Sequence, residues 1–405
     1  MWTLFTVACR NVLRNRRRTA LTLAALIVGV GITVIVHGFV NGMKRGVVNQ
    51  FISAATGAVQ VHHAGYVKNV LSTPLSLDVP ADDAFLSRVG HVEGVTGVSP
   101  RLQFSGTVSV GDESLFFTAL ALDPEREHAV CPWRERTLVA GSTFKGDTDL
   151  LLAQSLSAAA GVRPGEEAVL LAPDRDGALN AEATKLSGTL MPLGPGEARF
   201  GQVSLALAQR LLRMEGRATE LAVSVKDFER APEVAGRLRA ELGPDYEVHT
   251  WDEVAPLARD AMARLDAMAA TVTTVFLILM LLGVANTSLM TVLERTREIG
   301  TMMAVGVRRS WIAALFLAES AVVAALGGSG GALIGLAVVS HLGHKGLSIA
   351  PGGAKGVVPI EVHPMIPLGE LALFVAVAIV GATLFSLYPA WRASRLRPVQ
   401  ALAGN

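Results

Sequence analysis

Two long stretches of the chain carry no charge at all. Lys, Arg, Asp and Glu are absent from Thr19 to Met43 and again from Ala267 to Leu293. At ~1.5 Å per residue, either run, as a helix, covers the ~30 Å hydrocarbon thickness of a bilayer. Apolar text resumes at Trp311 after a short polar excursion, and a last uncharged core starts at Leu371. The pattern predicts four membrane spans, at 19–43, 268–290, 310–340 and 366–388.

Residues 44–265 read differently. Polar and charged residues return, with turn punctuation at Pro74, Pro80, Gly94, Pro100, Pro124 and Pro164-Gly165. Strand-like text at Ala58–His63 and Leu115–Leu122 alternates with helix-like text at Ala81–Val89. Toward the end, helices over Val203–Met214 and Ala231–Leu242 and strands over Glu220–Val225 and Tyr246–His249 make a β-α-β-type unit. From about 130 to 199, Gly and Pro are denser and periodicity is weaker, which predicts an inserted β-rich subdomain. The fold class expected is a membrane protein with four transmembrane α-helices and a large α+β domain inserted between the first and second spans.

The excursion at 291–309 is amphipathic at 3.6 residues per turn. Val292, Ile299 and Met303 fall on one side and Glu294, Arg297, Glu298 and Thr301 on the other, as in a helix lying along a surface. Gly306, followed by Arg308 and Arg309, reads as its stop signal. The run Glu294-Arg295-Thr296-Arg297-Glu298-Ile299-Gly300, then Met302-Met303-Ala304-Val305-Gly306, resembles the ER-x-REIG-x-x-x-A-x-G signature of the FtsX/MacB/Lol-type (type VII) ABC transporter permeases. Met303 stands where many members carry a basic residue. Arg10-Asn11, Arg14 and Arg18-Thr19 are similar to the family's entry into its first span, and Tyr388-Pro389-Ala390 with Ala393, Pro398, Ala401 and Leu402 to its carboxy-terminal ending. Thr250-Trp251-Asp252-Glu253 looks like the family's exit from the extramembrane domain, and Gly57–Tyr66 is similar to text that follows the first span in Lol-like members.

The resemblance implies a porter-like part, about 45–129 and 200–265, and a sabre-like part, about 130–199. It implies a coupling helix, with Glu294, Arg295, Arg297, Glu298, Ile299, Gly300, Met303 and Gly306, that docks into a cytoplasmic ABC ATPase dimer. ATP and Mg²⁺ would be bound by that separate subunit and no cofactor by this chain. A second copy or a related permease would complete the assembly. The mechanism implied is mechanotransmission, and the function is lipoprotein release from the bacterial inner membrane, with a periplasmic chaperone and membrane lipids as further partners. The alternatives are MacB-like tripartite export and FtsX-like regulation of a periplasmic cell-wall hydrolase.

Composition agrees with a few spans plus a watery domain: 51% hydrophobic, 18% charged, with a mean hydropathy of +0.43. A net charge of +1 leaves no basic excess for nucleic acid. The apolar run after Arg18 exceeds the ~7–15 residues of a cleaved signal, so it reads as an uncleaved anchor. Arginines at 10, 14, 16–18, 295, 297, 308, 309, 392, 395 and 397 flank one side of the spans, whereas the short loop at 341–365 has only Lys345 and Lys355. The positive-inside rule then puts residues 1–18, the coupling helix and the tail 389–405 in the cytoplasm and the large domain in the periplasm. Cys9 and Cys131 would lie on opposite sides of the membrane, which rules out a disulfide framework.

Three motifs for catalysis do not occur: the sequence holds no G-x-x-x-x-G-K-[ST], H-E-x-x-H or C-x-x-C. The chain is therefore expected to act as a permease rather than an enzyme, without the fused ATPase of the MacB-like arrangement. His341, His344 and His363 are read as solvated loop histidines rather than a zinc site, which usually takes four ligands. Glu319, inside the third span, costs several kcal/mol unless paired, and is expected to bond a neighbouring helix near the cytoplasmic end. Gly327, Gly331 and Gly335 mark a close-approach face on that span. Val34, Phe39, Phe276 and Met280 are the candidates to line an acyl-chain cavity, Glu370 reaches water, and His37 is expected at the outer interface.

Overall fold

The computed structural model describes residues 10–11, 16–111, 113–192, 198–349 and 359–395. Arg14, Lys355 and the tail-motif residues Arg397, Pro398, Ala401 and Leu402 lie outside them. The chain divides into two compact units: Met1–Arg45, Met262–Leu347 and Glu361–Asn405 in one, Gly46–Ala261 and Ser348–Ile360 in the other.

The first unit holds helices long and apolar enough to cross a membrane, at Thr19–Thr56, Ala258–Glu294, Arg309–Lys345 and Leu368–Ser394. Each outruns the uncharged stretch that marks it. Absence of charge reports the hydrocarbon, whereas a helix continues until a breaker stops it. The first therefore runs Arg16–Phe51, the second Pro256–Glu294 and the third Arg309–Lys345. The fourth, Leu368–Phe385, is followed after Ser386 by a short tail helix, Leu387–Ser394.

The glycine face of the third helix is filled by the first helix. A Cβ on Gly327 would lie 2.6 Å from Leu26 Cβ, one on Gly331 2.6 Å from the Ile27 carbonyl oxygen, and one on Gly335 2.7 Å from Val34 Cβ. Gly38 reciprocates, since a Cβ there would lie 2.6 Å from a Val339 methyl. The two backbones thus meet at a distance that no larger residue permits. Leu26, Val30, Val34, Met280, Leu281, Val284, Ala324 and Ala378 form the buried core of the bundle.

The second unit is built on a ten-stranded sheet. In chain order its strands and two short flanking ones are β1 Val59–His63, β2 Val79–Pro80, β3 Val95–Val110, β4 Glu113–Leu122, β5 Leu138–Gly141 and β6 Asp149–Ala153. They continue with β7 Glu167–Pro173, β8 Leu179–Leu190, β9 Phe200–Ser204, β10 Arg217–Ala218, β11 Glu220–Val225 and β12 Tyr246–Thr250. At one end the order is β12-β1-β11-β3, with each neighbour antiparallel. The helix Asp83–Gly90 connects toward β3, and Ala231–Leu242 joins β11 to β12, which lie on either side of β1. This is the split β-α-β arrangement, used twice. Leu86, Val89, Val234 and Leu238 from the helices pack on Val59, Val61, Leu221, Val223 and Val248.

At the other end the sheet closes on itself: β3 pairs β4, then β9, β6, β8 and β7 follow, and β7 pairs β3. The ring encloses Leu102, Phe104, Phe117, Leu150, Leu152, Leu170, Leu186 and Val203, with Leu207 and Leu211 of the helix Leu205–Leu212. The division into parts thus falls elsewhere than at the expected 129/130 and 199/200. One core uses residues up to Val98 and from Ala218 onward, and the other runs from Leu102 to Met214. The reason is β3, a single 16-residue strand that passes from one core into the other. Gly and Pro density marks turns and is blind to such long-range pairing.

A buried charge network sits on β3 between the two cores. The Arg101 guanidinium bonds Glu127 Oε1 at 2.6 Å and Glu220 Oε1 at 3.1 Å, and Arg134 Nε bonds Glu127 Oε1 at 2.8 Å. Both arginines also donate to the Ala55 carbonyl, at 2.8 and 2.7 Å. Ala55 lies in the single π-helical turn Ile52–Thr56. Burial alone would raise the Glu127 carboxyl, but Arg101, Arg134 and the Ser99 hydroxyl outweigh it and hold it at about 2. Glu220 is held below its ordinary range in the same way, burial being outweighed by His62 and Arg101.

Candidate functional site

The polar excursion between the second and third spans resolves into a break and a short helix. The second span helix runs unbroken to Glu294, because its interior lacks proline. Arg295 then leaves helical geometry at φ −99° and ψ 16°, and a nine-residue helix follows, Thr296–Ala304. Gly306 turns the chain with φ +94°, a conformation that favours glycine, and Arg308 is extended before the third span begins. The helix is shorter than the 291–309 expected, since its first residues belong to the preceding span.

Its apolar side is seated in a small core. Ile299 is fully buried with Val292, Ile312, Phe316, Ala390 and Ala393, and Met302 and Met303 pack partly against them. Ala390 and Ala393 come from the tail helix, whose YPA text thus buttresses this helix from behind. The opposite side is exposed: Glu294, Arg297, Glu298 and Thr301, followed by Val305.

Not every residue of the expected docking set faces outward. Ile299 and Gly300 are buried and seat the helix, and Met303 is half-buried. Arg295 is also turned inward, with a tenth of its side chain exposed. Its Nε donates to Glu298 at 2.9 Å, its Nη1 to Glu319 Oε1 at 3.1 Å, and its guanidinium carbon lies 5.8 Å from the Phe316 ring centre. Amphipathic periodicity could not place it, because it lies on the break and not in the helix.

Among the described residues Glu319 has two partners. Besides Arg295 it accepts from Asn11 Nδ2 at 2.5 Å. Around it a cavity of about 70 Å³ is lined largely by polar side chains: Asn11, Thr22, Thr287, Ser288, Glu319 and Ser320 among them. Ser288 Oγ lies 3.5 Å from Ser320 Oγ and 3.3 Å from Ser386 Oγ, linking the second span to the third and fourth. The sequence reading passed over these hydroxyls. Thr287, Ser288 and Thr291 at helical spacing were the available signal.

The expected acyl-chain cavity divides. Phe276 and Met280 line a cavity of about 30 Å³ with Gly29, Thr33, Thr273 and Phe374. Val34 instead packs against Gly335 in the glycine contact between the first and third helices, and Phe39 is half-buried outside that lining. His37 is bonded to the second span. Its Nε2 lies 2.9 Å from Thr273 Oγ1 and its ring centre 4.7 Å from that of Phe374. Toward the same ends of these helices, Asn41 donates to Glu370 at 3.0 Å and Lys44 pairs with Asp266 at 2.9 Å. His344 and His363 each have Nδ1 on a backbone carbonyl, of Ser340 and Gly343.

Four apolar helices, an α/β domain inserted after the first and a short amphipathic helix between the second and third define a class: multi-pass membrane transport proteins of the ABC permease kind. Residues 19–241 match the MacB-like periplasmic core domain, and residues 270–398 match the FtsX-like permease C-terminal. The chain belongs to the MacB/FtsX family of type VII ABC transporter permeases. It is 27% identical over 424 residues to the macrolide export ATP-binding/permease protein MacB of Nitrobacter winogradskyi, covering 100% of this chain and 61% of the relative. It is also 27% identical to the pyoverdine export ATP-binding/permease protein PvdT of Pseudomonas putida, covering 96% and 58%. The chain thus spans about 60% of the length of these relatives. The solved periplasmic region of MacB from Actinobacillus actinomycetemcomitans aligns with 53% of this chain and 95% of its own, at 13% identity and a TM-score of 0.36.

Proposed function

We propose that the chain is the permease part of an ATP-driven export machine that works by mechanotransmission. An ABC ATPase docks on the exposed side of Thr296–Ala304, where Glu294, Arg297, Glu298 and Thr301 face out. ATP and Mg²⁺ are held by that ATPase, and a dimeric ATPase calls for a second permease, either another copy or a related chain. Closure of the ATPase displaces the helix and the spans that seat it, and the displacement works the periplasmic domain without cargo crossing through the chain. The arginine bias supports a cytoplasmic position for both termini and the coupling helix.

The observation that carries this reading is the two-sided coupling helix. Ile299 fixes it to the ends of the second and third spans and to the tail helix, while its charged side stays exposed. A loop that only set topology would need no such seat. The relatives' names, exporters of a macrolide and of pyoverdine, support export as the direction of work.

Lipoprotein release draws on Gly57–Tyr66, but Val59, Val61, His62 and Tyr66 are buried inside the domain. Those four residues serve the domain core, while Ala64 of the same text is exposed. A regulator of a cell-wall hydrolase is the third reading.

Two measurements test the proposal. Glu298→Lys is expected to abolish permease-dependent ATP turnover while leaving the periplasmic domain folded, and normal turnover in that variant would sink the docking role. Purification with the co-expressed ATPase in native lipid, followed by mass spectrometry, reads the cargo. An adaptor or a small exported molecule supports export, acylated lipoproteins would replace it with release, and a hydrolase without cargo would replace it with regulation.

A further inference from the structure

Among the described residues, the core that seats the coupling helix is drawn from the ends of the second and third spans, the helix itself and the tail helix. A polar contact adds Asn11. Glu319 accepts from Arg295 on one side and from Asn11 on the other, so three chain segments meet on one carboxylate. Arg295 is itself the break between the second span helix and the coupling helix.

A break of this kind has a mechanical consequence. Two helices joined through one non-helical residue can bend there, so a push on the coupling helix is absorbed at Arg295 unless that residue is held. The first and third spans, in contrast, are closely packed at Gly327, Gly331 and Gly335, a contact rigid enough to pass a displacement from one to the other. Glu319 belongs to the third span, and Arg295 is anchored to it at both carboxylate oxygens, 3.1 and 3.3 Å away. The Arg295 fork is shared with Glu298 on the coupling helix, so the same guanidinium grips the moving part and the span it must move.

We propose that Glu319 is a positioning residue for coupling: it pins the hinge at Arg295 so that displacement of the coupling helix is passed to the paired first and third spans and not lost in the break. This rests on the mechanotransmission reading and adds the residue through which it acts. Asn11 extends the grip to the segment that enters the first span, and the polar cavity beside Glu319 accommodates the charged groups with hydroxyls and room for water. An ion pair in this position secures one arrangement more than it adds stability.

The test uses the complex of the full chain with its co-expressed ATPase in lipid nanodiscs. Glu319→Gln keeps the shape and removes the charge, Glu319→Asp keeps the charge, and Arg295→Gln removes the partner. Expected is a fall in permease-dependent kcat of about tenfold in Glu319→Gln and in Arg295→Gln, with ATP KM and the co-purifying amount of ATPase unchanged. The double variant is expected to be no worse than either single one, as for residues acting as a unit, and Glu319→Asp should retain most of the turnover. Wild-type kcat in Glu319→Gln, additive losses in the double variant, or equal loss in Glu319→Asp would overturn the assignment. Wild-type turnover that ignores the permease would overturn mechanotransmission itself, which separates the two failures.

Discussion

Arg101 Nη2, on the strand that joins the two cores of the periplasmic-type domain, and Glu127 Oε1, on the helix Pro124–Val130, stand 2.6 Å apart with both side chains almost wholly buried. Arg101 also holds Glu220 and the Ala55 carbonyl, so one guanidinium gathers two carboxylates and a backbone turn. Replacing it leaves those carboxylates buried without their main partner. Arg101→Leu is expected to destabilise the domain by about 3–5 kcal/mol, the usual cost of breaking a buried pair from one side. Thermal unfolding of the full chain in detergent checks it. A loss under about 1 kcal/mol would mean that water replaces the guanidinium.

The same network sets an acid limit. Glu127 is held at about 2 in the fold against an ordinary 4.5. A depressed carboxylate stabilises the fold above its unfolded value, and that contribution is lost as pH falls toward and through the folded one. Stability is expected to decline between about pH 4.5 and pH 2, and Glu127→Gln should flatten that part of the profile while lowering stability at neutral pH. Parallel acid profiles for the variant and the wild type would contradict this.

Within the membrane bundle the glycines are not equivalent. A Cβ on Gly331 would meet the Ile27 carbonyl oxygen at 2.6 Å, whereas one on Gly328 meets nothing nearer than Ala378 Cβ at 3.5 Å. Gly331→Ala is expected to cost about 1–3 kcal/mol by forcing the first and third spans apart, and Gly328→Ala to be nearly neutral. Melting temperatures of the two variants in one detergent decide it, and equal melting would refute the packing argument.

On the coupling helix, seat and docking face should separate. Ile299→Ala removes a fully buried side chain and is expected to cost about 2–5 kcal/mol locally, seen as faster amide exchange over Thr296–Ala304. Arg297→Ala touches an exposed residue and should change stability by less than about 0.5 kcal/mol. It should instead weaken binding to the ATPase, measured by co-purification against wild type. The opposite assignment of effects would exchange the two roles.

How much of this was legible follows from the range of each signal. The four spans announce themselves as apolar length, and the amphipathic turn shows in the 3.6-residue spacing of Val292, Ile299 and Met303 against Arg297, Glu298 and Thr301. The strands Glu220–Val225 and Tyr246–Thr250 and the helix Ala231–Leu242 were equally open to reading, because their periodicity is unbroken. The division of the domain was not, since residues 130–199 contribute β6, β7 and β8 to a ring whose other strands lie on both flanks. The inward turn of Arg295 was hidden too, for a residue on a break belongs to no helical face.

By itself the sequence determined the class: apolar length set the spans, motif order set the family, and arginine placement argued for the orientation. Only the tertiary structure decided which side chains meet. Asn11 and Glu319 are 308 positions apart and share a hydrogen bond, and His37 and Thr273 are 236 apart. Such pairs arise because helix packing brings backbones together and leaves polar groups in a membrane with few other partners. Local spacing records what one helix or strand can do, whereas the partner each side chain finds is a property of the packed whole.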